Sequence, residues 1–255
     1  MSTAVVTDIQ RCTTEDGPGL RTTVFFKGCP LHCVWCHNPE CIDPKPQTLH
    51  YPEKCIGCGR CAEGCYTGAK IVCGKEMTVE EIMAEIMQDQ PYYGKEGGVT
   101  FSGGEPLLQR GFLIELLDAC RQKGLHTAVE TSLCIYDEEV FRRLDLIMAD
   151  LKIWDSARHR QYTGIPNEQI KENFKRINAL GLPIIARTPV IPGIEQNIPE
   201  IAAFLKGLDN VRRYELLPYH PLGEEKRAAL GLEPLSFEIP SKELMKELNQ
   251  YVFLR

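Results

Sequence analysis

Three cysteines near the N-terminus have a spacing that suits iron–sulfur chemistry. Cys29, Cys33 and Cys36 lie in the segment GCPLHCVWCHNP at residues 28–39, and the next cysteine, Cys41, follows an Asn-Pro break. An electron-transfer [4Fe–4S] cluster usually takes four thiolates. Three thiolates leave one iron open, and an open iron can hold a substrate. The alternatives are a zinc knuckle and scattered reduced thiols, although zinc sites usually combine two distant CxxC units and this triplet has no such mate.

A second motif, Ser102-Gly103-Gly104-Glu105-Pro106, directly follows a short predicted strand. Adjacent glycines let a ligand approach the backbone closely, and a glutamate can accept a hydrogen bond from an ammonium group. Glycine pairs alone usually make turns. This motif, however, follows the cysteine triplet in the sequence and lies at the end of a predicted strand. It therefore predicts a ligand-binding loop.

Charged or ligand-capable side chains recur where four successive predicted strands end. An acid and a lysine two residues apart on a strand point to the same face, and alone they would indicate an ordinary salt bridge. Core packing does not require a charged or ligand-capable side chain at four successive strand ends. Their repetition therefore predicts a polar ligand site. These strand-end residues are Glu130 and Thr131, Asp150 and Lys152, Arg187, and His220.

Residues 41–74 form a compositionally distinct insert, rich in Pro, Gly, Lys and Cys. The run C-x2-C-x2-C-x3-C is typical of a bacterial ferredoxin, although Tyr66 replaces the usual proline. It consists of Cys55, Cys58, Cys61 and Cys65. We expect one auxiliary [4Fe–4S] cluster, whose fourth ligand could be Cys65, Cys73 or Cys41, and the alternative is a zinc-stapled insert.

Composition restricts the function classes further. The chain has 255 residues, 43% of them hydrophobic and 25% charged, with a net charge of −6, which argues against a general nucleic-acid partner. It lacks an apolar run long enough to span a membrane and an apolar leader segment, so we expect a cytoplasmic protein. Ten of the twelve cysteines lie between Cys12 and Cys73, which indicates local metal or redox chemistry rather than disulfides. Cys12, Cys120 and Cys134 are interpreted as small buried hydrophobes.

Predicted strands and helices alternate along the chain, which indicates βα units on a parallel sheet. A closed eightfold barrel needs about 250 residues, so a chain with a separate insert fits a partial, open (β/α)6 barrel better. That barrel would comprise residues 1–40 and 75–255. The six strands are predicted near residues 24, 99, 128, 148, 185 and 215, and the helices at 78–88, 112–123, 137–144, 169–180, 199–208 and 241–251.

With these motifs the chain resembles the glycyl-radical-enzyme activating enzymes of the radical S-adenosylmethionine (SAM) superfamily, a group that includes pyruvate formate-lyase activase. The resemblance covers nearly the whole chain. Its motifs are DGPGLR at 16–21, GCPLHCVWCHNPE, FSGGEPLLQ, HTAVETS, DLK, and ELLPYHPLG at 215–223. It implies an α/β fold, a partial open (β/α)6 radical SAM barrel with a small ferredoxin-like Fe–S insert.

The resemblance also implies roles for individual residues. Cys29, Cys33 and Cys36 would ligate the SAM-binding [4Fe–4S] cluster, Trp35 and His37 would lie beside the adenine, and Ser102, Gly103, Gly104 and Glu105 would hold the methionine end. Glu130, Thr131, Met148 and Asp150 match a monovalent-cation site, and Asp150, Lys152, Arg187 and His220 surround SAM or the substrate peptide. Asp16 and Arg21 would contact the glycine loop of the partner. One departure is Leu133-Cys134, where relatives commonly have Gly and an aromatic residue.

The function implied is reductive cleavage of SAM to a 5′-deoxyadenosyl radical, which removes a hydrogen atom from a backbone glycine of a partner glycyl radical enzyme. A one-electron donor such as flavodoxin or ferredoxin would supply the electron, and the free chain would be monomeric. Two alternatives are a radical SAM enzyme acting on a small molecule or on a ribonucleotide reductase, and a ferredoxin-type electron carrier. The DGPGLR and ELLPYH segments weigh against the first, and SGGEP with the cysteine triplet against the second. The sequence does not identify the partner or its metabolite.

Overall fold

The protein is built on one large mixed sheet beside a small hairpin. The computed structural model describes residues 2–61 and 64–255. Nine strands form the large sheet, and β3 and β4 form the hairpin. The strands are β1 (Thr3–Thr13), β2 (Arg21–Phe26), β3 (Gln47–His50), β4 (Lys70–Cys73), β5 (Lys75–Thr78), β6 (Gly98–Gly103), β7 (Thr127–Thr131), β8 (Leu146–Asp150), β9 (Ile184–Val190), β10 (Val211–Pro218) and β11 (Phe253–Leu254).

Six parallel strands form the centre of the large sheet in the order of the chain: β2, β6, β7, β8, β9 and β10. At one edge β1 runs antiparallel to β2 and β5 antiparallel to β1, and at the other edge β11 runs antiparallel to β10. Within the described residues, β5 and β11 remain the two edges of an open sheet. The predicted set of six parallel strands and the open α/β architecture are therefore confirmed.

Amphipathic helices cover one face of this sheet. In α1, Thr78 caps the N-terminus and exchanges hydrogen bonds with Glu81 in a capping box, and the helix buries Ile82 and Ile86 against the sheet. The helices are α1 (Val79–Asp89), α2 (Arg110–Gln122), α3 (Glu138–Phe141), α4 (Ser156–Thr163), α5 (Glu168–Leu180), α6 (Ile198–Lys206), α7 (Glu224–Ala229) and α8 (Lys242–Leu248). No helix among the described residues is both long and apolar enough to cross a membrane.

Several elements were not predicted, because their sequences lack a strong periodic signal. The outer half of β1 is mostly exposed on both faces, and its residues from Asp8 to Thr13 are largely polar. Helix α4 is polar throughout, and the residues that it buries are His159 and Thr163 rather than an apolar stripe. Helix α3 ends at Phe141, three residues before the predicted boundary.

The hairpin β3–β4 lies within the predicted insert and contacts helix α7. Leu49, Tyr51 and Cys73 form a small cluster with Ala229 of α7. Lys54 makes a 3.1 Å ion pair with Glu225 at the same junction. The C-terminal part of the barrel chain therefore packs directly on the insert.

Candidate active site

A cavity of about 260 Å³ lies at the carboxyl ends of the parallel strands, where ligands bind in sheets of this type. It is lined by fourteen residues that the sequence singled out: Cys29, Cys33, Trp35, Cys36, His37, Ser102, Gly103, Gly104, Glu130, Thr131, Asp150, Lys152, Arg187 and His220. The sequence interpretation missed other lining residues, among them Asn38, Ser132 and Tyr219. Each of these three residues directly follows a recognised motif or lies within one. Their closeness to a motif was the sequence signal that could have found them.

The loop carrying the cysteine triplet is held on two sides by backbone hydrogen bonds. On one side Gly28 N–H donates to Cys41 O (2.8 Å) and Cys29 N–H donates to Ile42 O (3.0 Å). On the other side the loop meets the C-terminal end of α4: His32 N–H donates to Thr163 O (2.8 Å) and Val34 N–H to Tyr162 O (3.0 Å). These bonds fix the path of the backbone between the three thiols.

The three thiols of Cys29, Cys33 and Cys36 line the same cavity. Among the residues that the structure describes, no three His, Cys, Asp or Glu side chains are grouped closely enough to ligate one metal ion. Burial raises the pKa of Cys29 and Cys33, and raises that of Cys36 to about 12. Ligation therefore requires proton loss at the thiols, which the positive charge of Lys152 favours at Cys33.

The glycine pair is required by contacts within the chain. A Cβ atom on Gly104 would lie 2.1 Å from Gly28 O, and one on Gly103, whose φ is +109°, would lie 2.3 Å from Phe26 N. The same close approach lets Gly104 N–H donate to Phe26 O (2.8 Å). The two glycines therefore bring the end of β6 against the residue preceding Cys29.

Glu105 is placed differently from the expectation. Its side chain is fully buried and does not line the cavity. Its carboxylate accepts hydrogen bonds from Thr131 Oγ1 (2.8 Å), Ser132 N–H (3.0 Å) and Ser132 Oγ (2.6 Å). Burial raises the pKa of this carboxyl even though these bonds oppose the shift. In this structure Glu105 supports the turn after β7, and its contact with the methionine end of SAM stays a prediction.

That turn contains a strained residue. Leu133 is fully buried and has a φ of +55°, a conformation that costs a non-glycine residue of order 1 kcal/mol or more. Its N–H donates to Thr131 Oγ1 (3.0 Å), and its carbonyl accepts from Asn173 Nδ2 (2.8 Å). The left-handed conformation is therefore held at a leucine by one hydrogen bond from its N–H and one to its carbonyl.

Four charged side chains form a network across the cavity wall. Arg187 Nη1 lies 2.5 Å from Glu130 Oε1, and Arg187 Nε lies 3.2 Å from Asp150 Oδ1. Lys152 Nζ lies 2.6 Å from Asp150 Oδ2. Burial opposes ionisation of Asp150, but the charges of Lys152 and Arg187 outweigh it and lower the pKa of that carboxyl. The network therefore stays ionised while presenting two cations to the cavity.

The predicted cation ligands have partners within the chain. Glu130 and Asp150 hold Arg187 between them. The hydroxyl of Thr131 donates to Glu105, and Met148 packs with Ala128, Leu146 and Ile185 on the inner face of the sheet. The monovalent cation stays a prediction.

Asp16 and Arg21 differ sharply in accessibility. Asp16 is half-buried and accepts a 2.7 Å hydrogen bond from Thr23 Oγ1. Arg21 is fully buried, and its guanidinium donates to Thr100 Oγ1 (2.6 Å), Val99 O (2.7 Å) and Pro18 O (3.1 Å). In this structure Arg21 presents no exposed surface, and its contact with the glycine loop of a partner stays a prediction. The guanidinium fixes the Asp16–Gly19 turn against β6.

Aromatic side chains line the remaining wall and mouth. Trp35 is buried and packs with Ile153, Ile191 and Tyr219. At the mouth the rings of His37 and His220 meet edge to face, with centroids 4.5 Å apart.

The cysteines of the insert fall into two groups. Cys55, Cys58 and Cys61 are exposed and Cys65 is half-buried, whereas Cys41 and Cys73 are buried. The Cys41 sulfur lies 3.3 Å from Thr7 Oγ1 of β1, on the barrel side. A hydrogen bond with the Thr67 hydroxyl lowers the pKa of Cys65, which favours the thiolate form.

Comparison with known proteins identifies the family. The profile of the radical SAM superfamily matches residues 23–205. A domain of a pyruvate-formate lyase-activating enzyme from Bacteroides vulgatus ATCC 8482 is 36% identical, with a TM-score of 0.51 over 61% of this chain and 92% of that one. SuiB of Streptococcus suis shares the fold alone, at 14% identity, with a TM-score of 0.61 over 88% of this chain and 42% of that one.

Curated relatives match over most of both chains. The (2S)-3-sulfopropanediol dehydratase activating enzyme of Klebsiella oxytoca is 39% identical over 89% of this chain and 86% of its own length. The 4-hydroxyphenylacetate decarboxylase activating enzyme of Clostridioides difficile strain 630 is 36% identical over 90% and 86%. The trans-4-hydroxy-L-proline dehydratase activating enzyme of Clostridioides difficile is 34% identical over 96% and 95%. The chain belongs to the radical SAM superfamily and, within it, to the activating enzymes of glycyl radical enzymes.

Proposed function

We propose that this chain cleaves SAM reductively and uses the resulting radical to remove a hydrogen atom from a backbone glycine of a partner glycyl radical enzyme. The proposal rests on one observation: three thiols, a glycine pair and two cations that are paired with carboxylates line the same cavity. Relatives named as activating enzymes of dehydratases and a decarboxylase support it.

Membership of the superfamily brings a [4Fe–4S] cluster and SAM as cofactors. Cys29, Cys33 and Cys36 would hold the cluster, and the backbone at Gly103 and Gly104 would face the methionine end of SAM. When bound, the cluster supplies the electron that breaks a sulfur–carbon bond of SAM, and this chemistry belongs to the cofactor.

The side chains of this site position the bound ligands and exclude water from the cavity. Lys152 and Arg187 are held by Asp150, so their charges are fixed before any ligand enters and cost little reorganisation. Trp35, packed against Ile191 and Tyr219, closes one wall to solvent. The edge-to-face pair of His37 and His220 lies where an adenine and an entering peptide would pass.

Partner recognition is proposed at the turn that begins with Asp16. The buried Arg21 guanidinium holds this turn in place by donating hydrogen bonds to Pro18 O and Thr100 Oγ1. Asp16 is partly accessible, and its carboxylate has one side-chain hydrogen bond, from Thr23. Arg21 thereby acts as a positioning residue for Asp16.

Replacing Asp16 with alanine should separate SAM cleavage from partner activation. Reduced wild-type protein, mixed anaerobically with SAM and dithionite, should release 5′-deoxyadenosine and generate a glycyl radical on a partner encoded nearby. In Asp16→Ala we expect unchanged 5′-deoxyadenosine release and a glycyl-radical yield lowered by about a hundredfold, because errors of about 1 Å cost that much. Electron paramagnetic resonance (EPR) on the partner, beside an assay of 5′-deoxyadenosine, measures both.

Thr23→Val is the matched control, because it removes the hydrogen bond to Asp16 but keeps the carboxylate. If Thr23→Val lowers the glycyl-radical yield as much as Asp16→Ala does, Asp16 acts through the turn and not on the partner. If wild-type protein releases no 5′-deoxyadenosine, the proposed function fails as a whole.

The insert is proposed to hold one auxiliary [4Fe–4S] cluster on Cys55, Cys58, Cys61 and Cys65. The wild type should then contain close to eight irons, about four for each cubane, and Cys55→Ser combined with Cys58→Ser should remove about half of them. Iron and zinc analysis of anaerobically reconstituted protein checks this. Cys41→Ser, which changes a buried thiol beside Thr7, should keep the full iron content. One equivalent of zinc in the wild type would instead support a zinc-stapled insert.

A further inference from the structure

The C-terminal turn of helix α4 holds the cysteine loop, although the helix has no apolar stripe of its own. Tyr162 O accepts from Val34 N–H (3.0 Å) and Thr163 O accepts from His32 N–H (2.8 Å), so the two hydrogen bonds flank Cys33 in the sequence. The last carbonyls of a helix have no partner within the helix, which leaves them free to hold another segment. They can hold Cys33 in one place only if the turn itself is fixed.

His159 fixes this turn from within α4. The residue is fully buried, and its Nδ1 lies 2.7 Å from Ile165 O, just beyond the end of the helix. A carbonyl oxygen can only accept, so Nδ1 carries the proton and donates it. The Thr163 hydroxyl lies 3.0 Å from the same nitrogen and donates to His159 O (2.7 Å). Within the described residues the second ring nitrogen, Nε2, is buried without a hydrogen-bond partner, so the ring acts through Nδ1.

The segment after the turn is tied to the strand end that carries Lys152. Asn167 is fully buried, and its Nδ2 donates to Ile153 O (2.6 Å) and Trp154 O (3.0 Å). The turn therefore connects two walls of the cavity, since Cys33 and Lys152 both line it. A displacement of the turn would move the thiol relative to the ammonium group.

We propose that His159 is a positioning residue for the cysteine triplet, and that its hydrogen bond to Ile165 O sets the position of Cys33 in the cavity. This inference rests on the proposed function, in which Cys33 ligates the SAM-binding cluster. His159 is not among the residues that line the cavity, so it acts through the backbone of α4 and not by contact with a ligand. Burial lowers the pKa of its imidazole, which keeps the ring neutral with a single donor.

Two substitutions of His159 separate its hydrogen bond from its burial. The amide nitrogen of asparagine is as many bonds from Cα as Nδ1 is, so His159→Asn keeps a donor for Ile165 O. His159→Leu fills the space but leaves that buried carbonyl without its partner. In amide hydrogen exchange of the anaerobically reconstituted full chain, we expect His32 and Val34 to lose protection by about tenfold or more in His159→Leu and to keep it in His159→Asn.

The same variants are then compared in SAM cleavage and in EPR. In His159→Leu we expect 5′-deoxyadenosine release to fall by about a hundredfold, the effect of roughly 1 Å of misplacement. The EPR line shape of the reduced cluster, recorded with SAM present, should change as well. His159→Asn should bring both quantities back towards the wild-type values, because it restores the hydrogen bond.

Asn210→Leu is the matched control for a loss of stability alone. Asn210 is also buried, and its Nδ2 donates to the backbone carbonyls of Ile177 (3.2 Å) and Leu182. It precedes β10 at the amino end of the strand and is not among the residues that line the cavity. The substitution should lower the temperature of unfolding and leave the exchange of the cysteine loop, the EPR line shape and SAM cleavage unchanged.

Three results would overturn the inference. The first is that His159→Leu keeps the protection of both loop amides, or loses it while cleavage and the EPR line shape stay as in the wild type. The second is that His159→Asn behaves like His159→Leu in every measurement, because the hydrogen bond would then not be what matters. The third is an equal loss of cleavage in Asn210→Leu, which would mean a general effect of stability. Wild-type protein that releases no 5′-deoxyadenosine would instead refute the proposed function, and that result needs no variant of His159.

Discussion

Cys33→Ser is expected to abolish 5′-deoxyadenosine formation. The thiol lines the cavity between Cys29 and Cys36, and a cluster held by three thiolates loses a third of its protein ligands when one is removed. Serine is a poor substitute, because its hydroxyl is not a soft thiolate donor. The variant should retain the iron of the insert, so total iron should fall to about half, four of about eight.

Cys12→Ser is the matched control. The interpretation of Cys12 as a buried hydrophobe is wrong, because the residue is exposed in the outer half of β1 and does not line the cavity. Cys12→Ser should keep both the iron content and 5′-deoxyadenosine release. Iron analysis and chromatography of the reaction products measure the two quantities. Release of 5′-deoxyadenosine at the wild-type rate by Cys33→Ser would contradict the assignment of the cysteine triplet as the ligands of the cluster that cleaves SAM.

Gly104→Ala should have an effect nearly as large, although the substitution adds only one methyl group. Its Cβ would lie 2.1 Å from Gly28 O and 2.7 Å from Cys41 O. Both contacts are with backbone atoms, so the loop before Cys29 has to shift. We expect a loss of about a hundredfold in SAM cleavage, the effect of roughly 1 Å of misplacement, together with weaker iron loading.

Gly111→Ala provides the control for this prediction. Gly111 lies in α2, and a Cβ atom there would meet nothing within 4 Å. Alanine should raise the free energy of unfolding by up to about 1 kcal/mol, since it is the better helix former, and should leave SAM cleavage unchanged. If Gly104→Ala behaves like Gly111→Ala in thermal unfolding, iron content and cleavage, the close approach at Gly28 is not functionally important.

The sequence predicted those parts of the site that follow from strand register. Side chains alternate along a strand and parallel strands end at one edge, so Asp150 and Lys152 had to lie side by side, and the structure places them 2.6 Å apart. Most of the six strands carried the necessary signal, because they are rich in buried apolar residues, although β10 buries only Val211 and Tyr214. The fold class and the charged strand-end residues were therefore accessible from pattern, whereas the places of Trp35 and His37 followed from the family resemblance.

The contacts that Glu105 and Arg21 make within the chain were not accessible in this way. Glu105 and Arg21 are charged, and charged residues in a motif suggest contact with a ligand or partner. Both are instead fully buried and satisfied by the chain, Glu105 by Ser132 and Thr131, Arg21 by backbone carbonyls and Thr100. Such pairings depend on tertiary packing between segments that are distant in sequence. Strand β1 and helix α4 escaped prediction for another reason, because their sequences lack a strong periodic signal.

The two-sided attachment of the cysteine loop determines when the site can form during synthesis. Its second anchor consists of carbonyls at Tyr162 and Thr163, roughly 130 residues downstream of the cysteines, and a ribosome adds about 5–20 residues per second. The thiols are therefore present for about ten seconds before the segment that shapes their loop exists. Under the proposed function, a cluster can be built in the folded loop only once nearly two thirds of the chain exists, and in that interval the nascent cysteines are open to oxygen and to competing metals.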